Sequence, residues 1–341
     1  MYTYTFLMAN QRDVAREAGV SSASVSRYIN KPDSIKQKSA GRIKAAIKKL
    51  GYRPDYTAQS LKRGKFHRVG IISAAKGPFY CEVINWIEDT LFDTGYFINI
   101  AITRESERSK QKPFHLVQNR QVDGILIFPL LNRGDEEIVA YMKKMGDKFV
   151  VLDRLYPDDS IFQVAIDNYG AGKTAARTFI EAGHRKFLFI WGVKDTASSH
   201  ERFRGFYDEL KNAGIKLEEN RQLPGEFKVD SAYKRARERF PELPEFTAVF
   251  ASNDLSALGF MKAAHENGLK VPDDFSIIGF DDAEIAPYIV PPLTTFRQPI
   301  QTMGALAAKM LISQIEGDEI RDRKVLLKAE FILRESLKPV F

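Results

Sequence analysis

The sequence predicts an N-terminal all-α helix-turn-helix head with a hinge helix, followed by an α/β core of two lobes built on parallel sheets. Three observations predict it. Residues 10–61 carry the capping and turn residues of short helices. Beyond Phe66, β-type apolar runs alternate with amphipathic helical stretches, the pattern of parallel strands covered by helices. Charge divides at the same place: residues 1–65 hold 14 Lys and Arg against 4 Asp and Glu, a net of +10, whereas the whole chain is +7, leaving the remainder at −3. A basic module on a slightly acidic body fits a phosphate-neutralising head better than a uniformly adhesive protein.

Within the head, Asn10 is placed to N-cap a first helix whose Val14, Ala15 and Ala18 share an apolar face, and Gly19 permits the turn that ends it. Ser21 then caps a second helix that carries Val25 and Ile29 inward and Ser22, Ala23, Ser24, Ser26 and Arg27 outward, the form of a recognition helix. A third helix, about Gln37 to Leu50, buries Ile43, Ala46, Ile47 and Leu50, presents Lys38, Arg42, Lys44, Lys48 and Lys49, and stops at Gly51. Pro54 to Gly64 reads as a hinge helix. Pro54 suits its first turn, Ala58 is small enough for close helix approach, and Leu61 is an apolar residue among Lys62, Arg63 and Lys65.

The core's strands are expected at Arg68 to Ser73, Phe97 to Ile102, Gly124 to Phe128, Phe149 to Leu152, Lys186 to Ile190, Ala248 to Ala251 and Phe275 to Phe280. Some 275 residues exceed one ordinary α/β domain, so two lobes with a ligand cleft at the carboxyl ends of their strands are expected. No 20-residue apolar run occurs, which excludes a spanning helix, and the single Cys81 excludes a disulfide framework and a cysteine zinc site; a cytoplasmic location is the natural expectation. Enzyme signals fail on inspection. Gly170-Ala-Gly-Lys-Thr174 lacks the upstream glycine of a phosphate loop, position 167 being Asp; the five histidines show no metal-ligand spacing; no Gly-x-Ser-x-Gly elbow is present; and Asp281-Asp282 has no supporting acid, base or metal cluster. The chain is therefore not read as an enzyme, and no metal or cofactor is expected.

The pattern Asp13-Val-Ala-x-x-Ala-Gly-Val-Ser-x-x-Ser-Val-Ser-Arg-x-Ile-Asn30, followed by Leu50-Gly-Tyr-x-Pro54, resembles the lactose-repressor family of bacterial transcription regulators. The resemblance implies that Ser22, Ala23 and Arg27 read base edges in the major groove, Arg27 by pairing its fork with guanine, while Ser21, Ser26 and Asn30 contact the backbone. Asn10 joins this DNA-binding set. It also implies that paired hinge helices enter the minor groove, with Ala58 at their contact and Leu61 wedging a central base step; an ordinary linker helix is the alternative. Met8 is the expected start, with residues 1–7 an extension. Lys36 departs from the family's usual Ser or Thr before the third helix, so Asp33 or Ser34 is expected to supply that cap.

The resemblance continues through the core to about residue 336, through Gly77-Pro-Phe-Tyr80, Leu152-Asp-Arg154, Arg202-Phe-Arg-Gly-Phe206, Asn253-Asp254, Gly279-Phe-Asp281-Asp282 and Pro292-Leu-Thr-Thr295. It implies a fold like that of periplasmic binding proteins. The expected layout is a head at 1–53, hinge and linker at 54–66, and an effector-binding and dimerisation core at 67–341. Its N-lobe takes about 67–165 and 298–325, and its C-lobe about 166–297 and 326–341. By family position, Asp153, Ser198, Arg202, Asn253 and Asp281 are polar effector contacts and Tyr80 and Phe227 are walls, a set suited to sugar hydroxyls and a sugar's C–H face. Asn253 reads equally as a helix cap, Asp281 as a loop cap and Phe227 as core. Lys76, Arg104, Arg154 and Lys194 near those loops raise an acidic or phosphorylated ligand as a variant. The expectation is a homodimeric regulator, read as a repressor, that binds a near-palindromic double-stranded operator and answers to a small-molecule effector, a sugar or sugar derivative. Without leucine heptads at the C-terminus, a dimer is preferred to a tetramer. Control by a partner protein, or more remotely a sugar-binding protein or sugar enzyme, is the alternative.

Overall fold

The computed structural model describes residues 9–31, 34–52, 65–73, 77–102, 121–129, 134–194 and 196–340. The chain divides into two compact units, Met1–Phe66 and His67–Phe341. In the first, α1 (Gln11–Ala18), α2 (Ser22–Asn30) and α3 (Gln37–Leu50) enclose a core of Val14, Ala15, Ala18, Val25, Ile43 and Ala46. A capping box starts α1: the Asn10 side chain accepts the Arg12 and Asp13 N–H groups while Asp13 accepts the Asn10 N–H. Gly19 closes it in the left-handed conformation that L-residues with a side chain adopt only under strain. Ser21 caps α2 through the Ser24 N–H. One expectation is corrected here. Among the described residues no side chain caps α3, and the Ser34 hydroxyl donates backward to the Lys31 carbonyl at 2.7 Å. Asp33 lies outside the described residues, as do Met1 to Met8 and the hinge segment 53–64 with Ala58 and Leu61.

The second unit carries two parallel sheets. The first has six strands, β1 (Arg68–Ser73), β2 (Phe97–Ile102), β3 (Gly124–Ile127), β4 (Phe149–Leu152), β5 (Gln163–Ile166) and β11 (Lys324–Leu327), in the order β11-β5-β4-β3-β1-β2. The second has four, β6 (Phe187–Trp191), β7 (Gln222–Pro224), β8 (Ala248–Ala251) and β9 (Ser276–Ile278), in the order β7-β6-β8-β9. β10 (Thr295–Arg297) and β12 (Glu330–Ile332) form a short antiparallel pair. The central strands are buried along their whole length, Ile-Leu-Ile in β3 and Phe-Leu-Phe-Ile-Trp in β6, which is what helices on both faces require. In each sheet the strand order reverses at an interior pair, β1/β3 and β6/β8, and a crevice opens there beyond the carboxyl ends.

Helices α4 (Pro78–Phe92), α5 (Gly134–Met145), α6 (Asn168–Glu181), α7 (Ala197–Asn212), α8 (Val229–Arg239), α9 (Asp254–Glu266) and α10 (Ile300–Glu316) cover the sheets. The tightest contact joins α6 to α7. A Cβ on Gly172 would stand 2.2 Å from the Arg202 carbonyl oxygen, and one on Gly205 would stand 2.0 Å from that of Tyr169. The Gly170–Thr174 segment that mimics a phosphate loop is thus helix-packing surface within α6, not a loop. Gly205→Val is expected to cost about 3 kcal/mol or more by forcing these backbones apart, read as a lowered circular-dichroism melting midpoint; an unchanged midpoint would mean the helices separate freely.

Candidate functional site

On the head, Ser21, Ser22, Ala23 and Arg27 are exposed on one side of α2 and its approach, Ser26 is half-buried, and Asn30 is the last residue of the helix. Two members of the expected DNA-binding set are already engaged: the Asn10 oxygen holds the start of α1, and the Ser21 oxygen holds the start of α2. Arg27, Ser22 and Ala23 are left to face outward, with Val25 fully buried behind them.

In the core, a cavity of about 500 Å³ is lined by all seven residues expected at an effector site: Tyr80, Asp153, Ser198, Arg202, Phe227, Asn253 and Asp281. They come from strand ends and the helices that follow. Tyr80 stands in the first turn of α4 after β1, Asp153 directly after β4, Asn253 after β8 and Asp281 shortly after β9. Phe227 follows β7 with φ of 57°, its ring against Gly192, where a Cβ would lie 2.1 Å from it. Asp153 and Asp281 also have positive φ, 53° and 117°. Such strain in three side-chain-bearing residues persists only where the surroundings fix it, and here it falls on residues that follow strands of both sheets and line one space.

Arg202 organises that space. It is 4% exposed; its Nε donates to Asn168 Oδ1 at 2.8 Å, a terminal nitrogen donates to the Ser252 carbonyl, and the guanidinium lies 3.5 Å from the Phe280 ring centroid. Burial pulls its pKa below the usual value while the facing Asp281 and Asp153 carboxylates oppose that shift. Burial pushes Asp153 up to about 7 against the lowering influence of Arg202, and Asp281 up to about 6. Asp281 accepts from Gln298 Nε2 at 2.7 Å and from Asn253 Nδ2 at 3.5 Å. Asp153 Oδ1 is buried without a hydrogen-bond partner, which is costly unless something else supplies a donor. Tyr80 is raised well above its ordinary value, chiefly by burial, and meets Phe128 edge-on at 5.4 Å.

The alternatives for single residues resolve as shared duties. Asn253 does cap α9, its Oδ1 accepting the Ser256 N–H at 2.9 Å, and its amide nitrogen faces the cavity side toward Asp281. Two of the four cations behind the acidic-ligand variant stand off this cavity. Lys194 is exposed and absent from the cavity wall, and Arg154 borders a different cavity and pairs with Glu136 at 2.5 Å. Lys76 and Arg104 lie outside the described residues. The wall's charged groups are Glu82, Asp153, Asp281 and Asp282 against Arg202 and Arg297, an excess of acid. Sequence reasoning missed Gln298, which orients Asp281, Asn168, which orients Arg202, and the Asp282 pairings with Arg297 at 2.7 Å and Arg334 at 2.6 Å. Asn168 alone carried a signal, as the neighbour of the capping Asp167.

A helix-turn-helix head on a two-sheet α/β core with a polar, aromatic-walled cavity is the build of a DNA-binding transcriptional regulator with a ligand-binding body. Residues 11–55 match the model of bacterial regulatory proteins of the lacI family, and residues 176–337 match the periplasmic binding protein-like domain. The chain is 31% identical to the transcriptional repressor PurR of Photobacterium profundum over 97% of its own length and 99% of that protein's, and 31% identical to the ribose operon repressor of Escherichia coli over 94% and 97%. Among solved structures it resembles the transcriptional regulator CelR in complex with cellobiose, at 28% identity and a TM-score of 0.73, covering 96% of this chain and 99% of that one. The lac repressor dimer bound to operator shares the fold, with a TM-score of 0.85 at 24% identity over 96% and 98%. The chain belongs to the lacI family of bacterial regulatory proteins.

Proposed function

We propose that this chain is a cytoplasmic, homodimeric repressor, not an enzyme, whose affinity for a near-palindromic operator is set by an uncharged sugar or sugar derivative in the cavity of its core. The head at 1–53 reads half-sites, the hinge at 54–66 inserts Leu61 into the minor groove, and the core at 67–341 binds effector and partner subunit. The observation that carries the effector reading is the meeting, in one cavity, of Arg202, two raised carboxyls and two aromatic rings, from helices and strand ends far apart in sequence. Carboxylates accept from ring hydroxyls, the guanidinium donates to ring oxygens, and the Tyr80 and Phe227 rings cover the apolar face. The relatives' names agree in kind, since one is a ribose operon repressor and another is complexed with cellobiose. Ligand and operator are then linked reciprocally, with a typical coupling of about 1 to 3 kcal/mol.

The test is calorimetric titration of the full chain with ribose, glucose, cellobiose, sugar acids, phosphosugars and purine bases. Saturable binding of a neutral sugar that changes operator affinity supports the proposal; binding confined to acids, phosphosugars or purines overturns it. For the head, Arg27→Ala is expected to cost about 1 to 3 kcal/mol on duplexes selected from a randomised pool and little on random DNA. Equal losses on both would assign Arg27 to the phosphate backbone.

A further inference from the structure

A second cavity, of about 410 Å³, lies against the first. Asp153 and Ser198 line both. Its other walls include Arg154, Asp167, Tyr169, Glu201 and Arg204, at the ends of β4 and β5 and the first turns of α6 and α7. The two shared residues are unusual for polar side chains so deeply placed. Asp153 is 5% exposed and Ser198 8%, and the Asp153 Oδ1 atom is buried without a hydrogen-bond partner. Asp153 is held there at a strained φ of 53°, and Ser198 is fixed in the first turn of α7. Buried polar groups are nearly always satisfied, so an Asp153 oxygen left without a donor where two cavities meet points to a ligand that spans them.

We infer that the second cavity is a second ligand subsite, continuous with the first across Asp153 and Ser198, and that the effector is a two-ring neutral glycoside or disaccharide rather than a monosaccharide. This rests on the sugar reading above and extends it. The first cavity has the ring-stacking walls, Tyr80 and Phe227, and Arg202. The second is polar, and its cations are already answered: Arg204 pairs with Glu201 at 2.5 Å and Arg154 with Glu136 at 2.5 Å. Asp153, Asp167 and Glu201 against two paired arginines leave no net positive charge for a phosphate or carboxylate, but offer acceptors to hydroxyl groups. The Tyr169 ring is covered by Arg204, 4.7 Å from its centroid, and Lys173, 5.9 Å, so the second ring is expected to be held by hydrogen bonds at its edge rather than by stacking. Each cavity by itself is within the ordinary size range of a ligand site, about 300 to 1,000 Å³, so one small ring would leave the second unfilled.

The experiment titrates the full chain with cellobiose, maltose and lactose and with glucose, galactose and ribose, then repeats the titrations on Ala197→Phe and, separately, Leu326→Trp, each of which fills only the second cavity. The expected result is one disaccharide binding at least about tenfold more tightly than its monosaccharides, an advantage lost in both variants while monosaccharide affinity stays unchanged. Monosaccharide binding as tight as any disaccharide's, indifferent to both substitutions, would overturn the two-ring inference and leave the sugar reading standing. Binding of no sugar would overturn both. A circular-dichroism melt of each variant separates a filled cavity from a misfolded one, and the surface position of Leu326, 49% exposed, makes its variant the safer of the two.

Discussion

Arg202→Ala is expected to abolish the response of operator binding to effector while leaving effector-free DNA binding nearly intact. The buried guanidinium interacts with the buried carboxyl groups of Asp281 and Asp153, and truncating one member of such a set typically costs about 2 to 5 kcal/mol in binding. That corresponds to a loss of roughly 30- to several-thousand-fold in effector affinity. Part of the cost falls on the protein. Asn168 Oδ1 and the Ser252 carbonyl lose their donors, and the Phe280 ring loses the cation packed 3.5 Å from its centroid. A lowered melting midpoint should therefore accompany the lost affinity. Arg202→Lys separates the two effects: a lysine keeps the charge but cannot reproduce the fork that spans Asn168 and Ser252. If effector binding in Arg202→Lys is as weak as in Arg202→Ala, planar geometry is the requirement. If effector affinity survives Arg202→Ala, the organising role given to this residue is wrong.

The head was legible in sequence because each of its helices is delimited locally. Asn10, Gly19, Ser21 and Gly51 act within a few residues of where they stand, and the observed caps fall on them. The core was legible where strands are continuous apolar runs, as at β3, β4 and β8, and obscure where they are not. β5 begins with Gln163, a residue no strand pattern favours, yet it is fully buried because its amide is satisfied by the Tyr156 backbone. β11 alternates exposed Lys324 and Leu326 with half-buried neighbours, as an edge strand does, and β10 and β12 are three-residue segments defined by pairing with each other, far apart in sequence.

The site divides in the same way. Residues at strand ends, Asp153 and Asn253 among them, are placed by local position together with the resemblance to a family. Gln298 and Asn168 escaped because they act through partners 17 and 34 residues away, and nothing in their own neighbourhoods marks Asp281 or Arg202 as the group they hold. The basic loop residues misled for the converse reason. Arg154 follows Asp153 in sequence, but successive residues at a strand end point apart, and its charge goes to Glu136 beside the second cavity.

Asp153 supplies the second large effect, which is one of pH. Its folded value of about 7 stands well above the ordinary 3.8, with burial as the main cause. A hydroxyl of a neutral ligand donates to the carboxylate and not to the protonated acid in the same way, so effector affinity should rise with pH from about 5.5 and level off above about 7, by up to tenfold per pH unit on the steep part. Folding stability of the ligand-free protein should move oppositely. Between pH 4 and 7 the folded state keeps a proton that the unfolded chain has released, so the folded state binds more protons and stability falls as pH rises through that window, levelling off above about 7. Each pH unit contributes at most about 1.4 kcal/mol. Asp153→Asn is isosteric and carries no charge to desolvate. It should raise the melting midpoint at pH 8, remove this group's part of the pH dependence, and weaken the effector most at high pH, where the wild-type carboxylate is formed. Asp281, with its lower value of about 6, would govern whatever dependence persists at lower pH. Wild-type affinity that stays flat between pH 5.5 and 8, measured by calorimetry in two buffers of different ionisation enthalpy, would mean that Asp153 does not receive the ligand's proton donor.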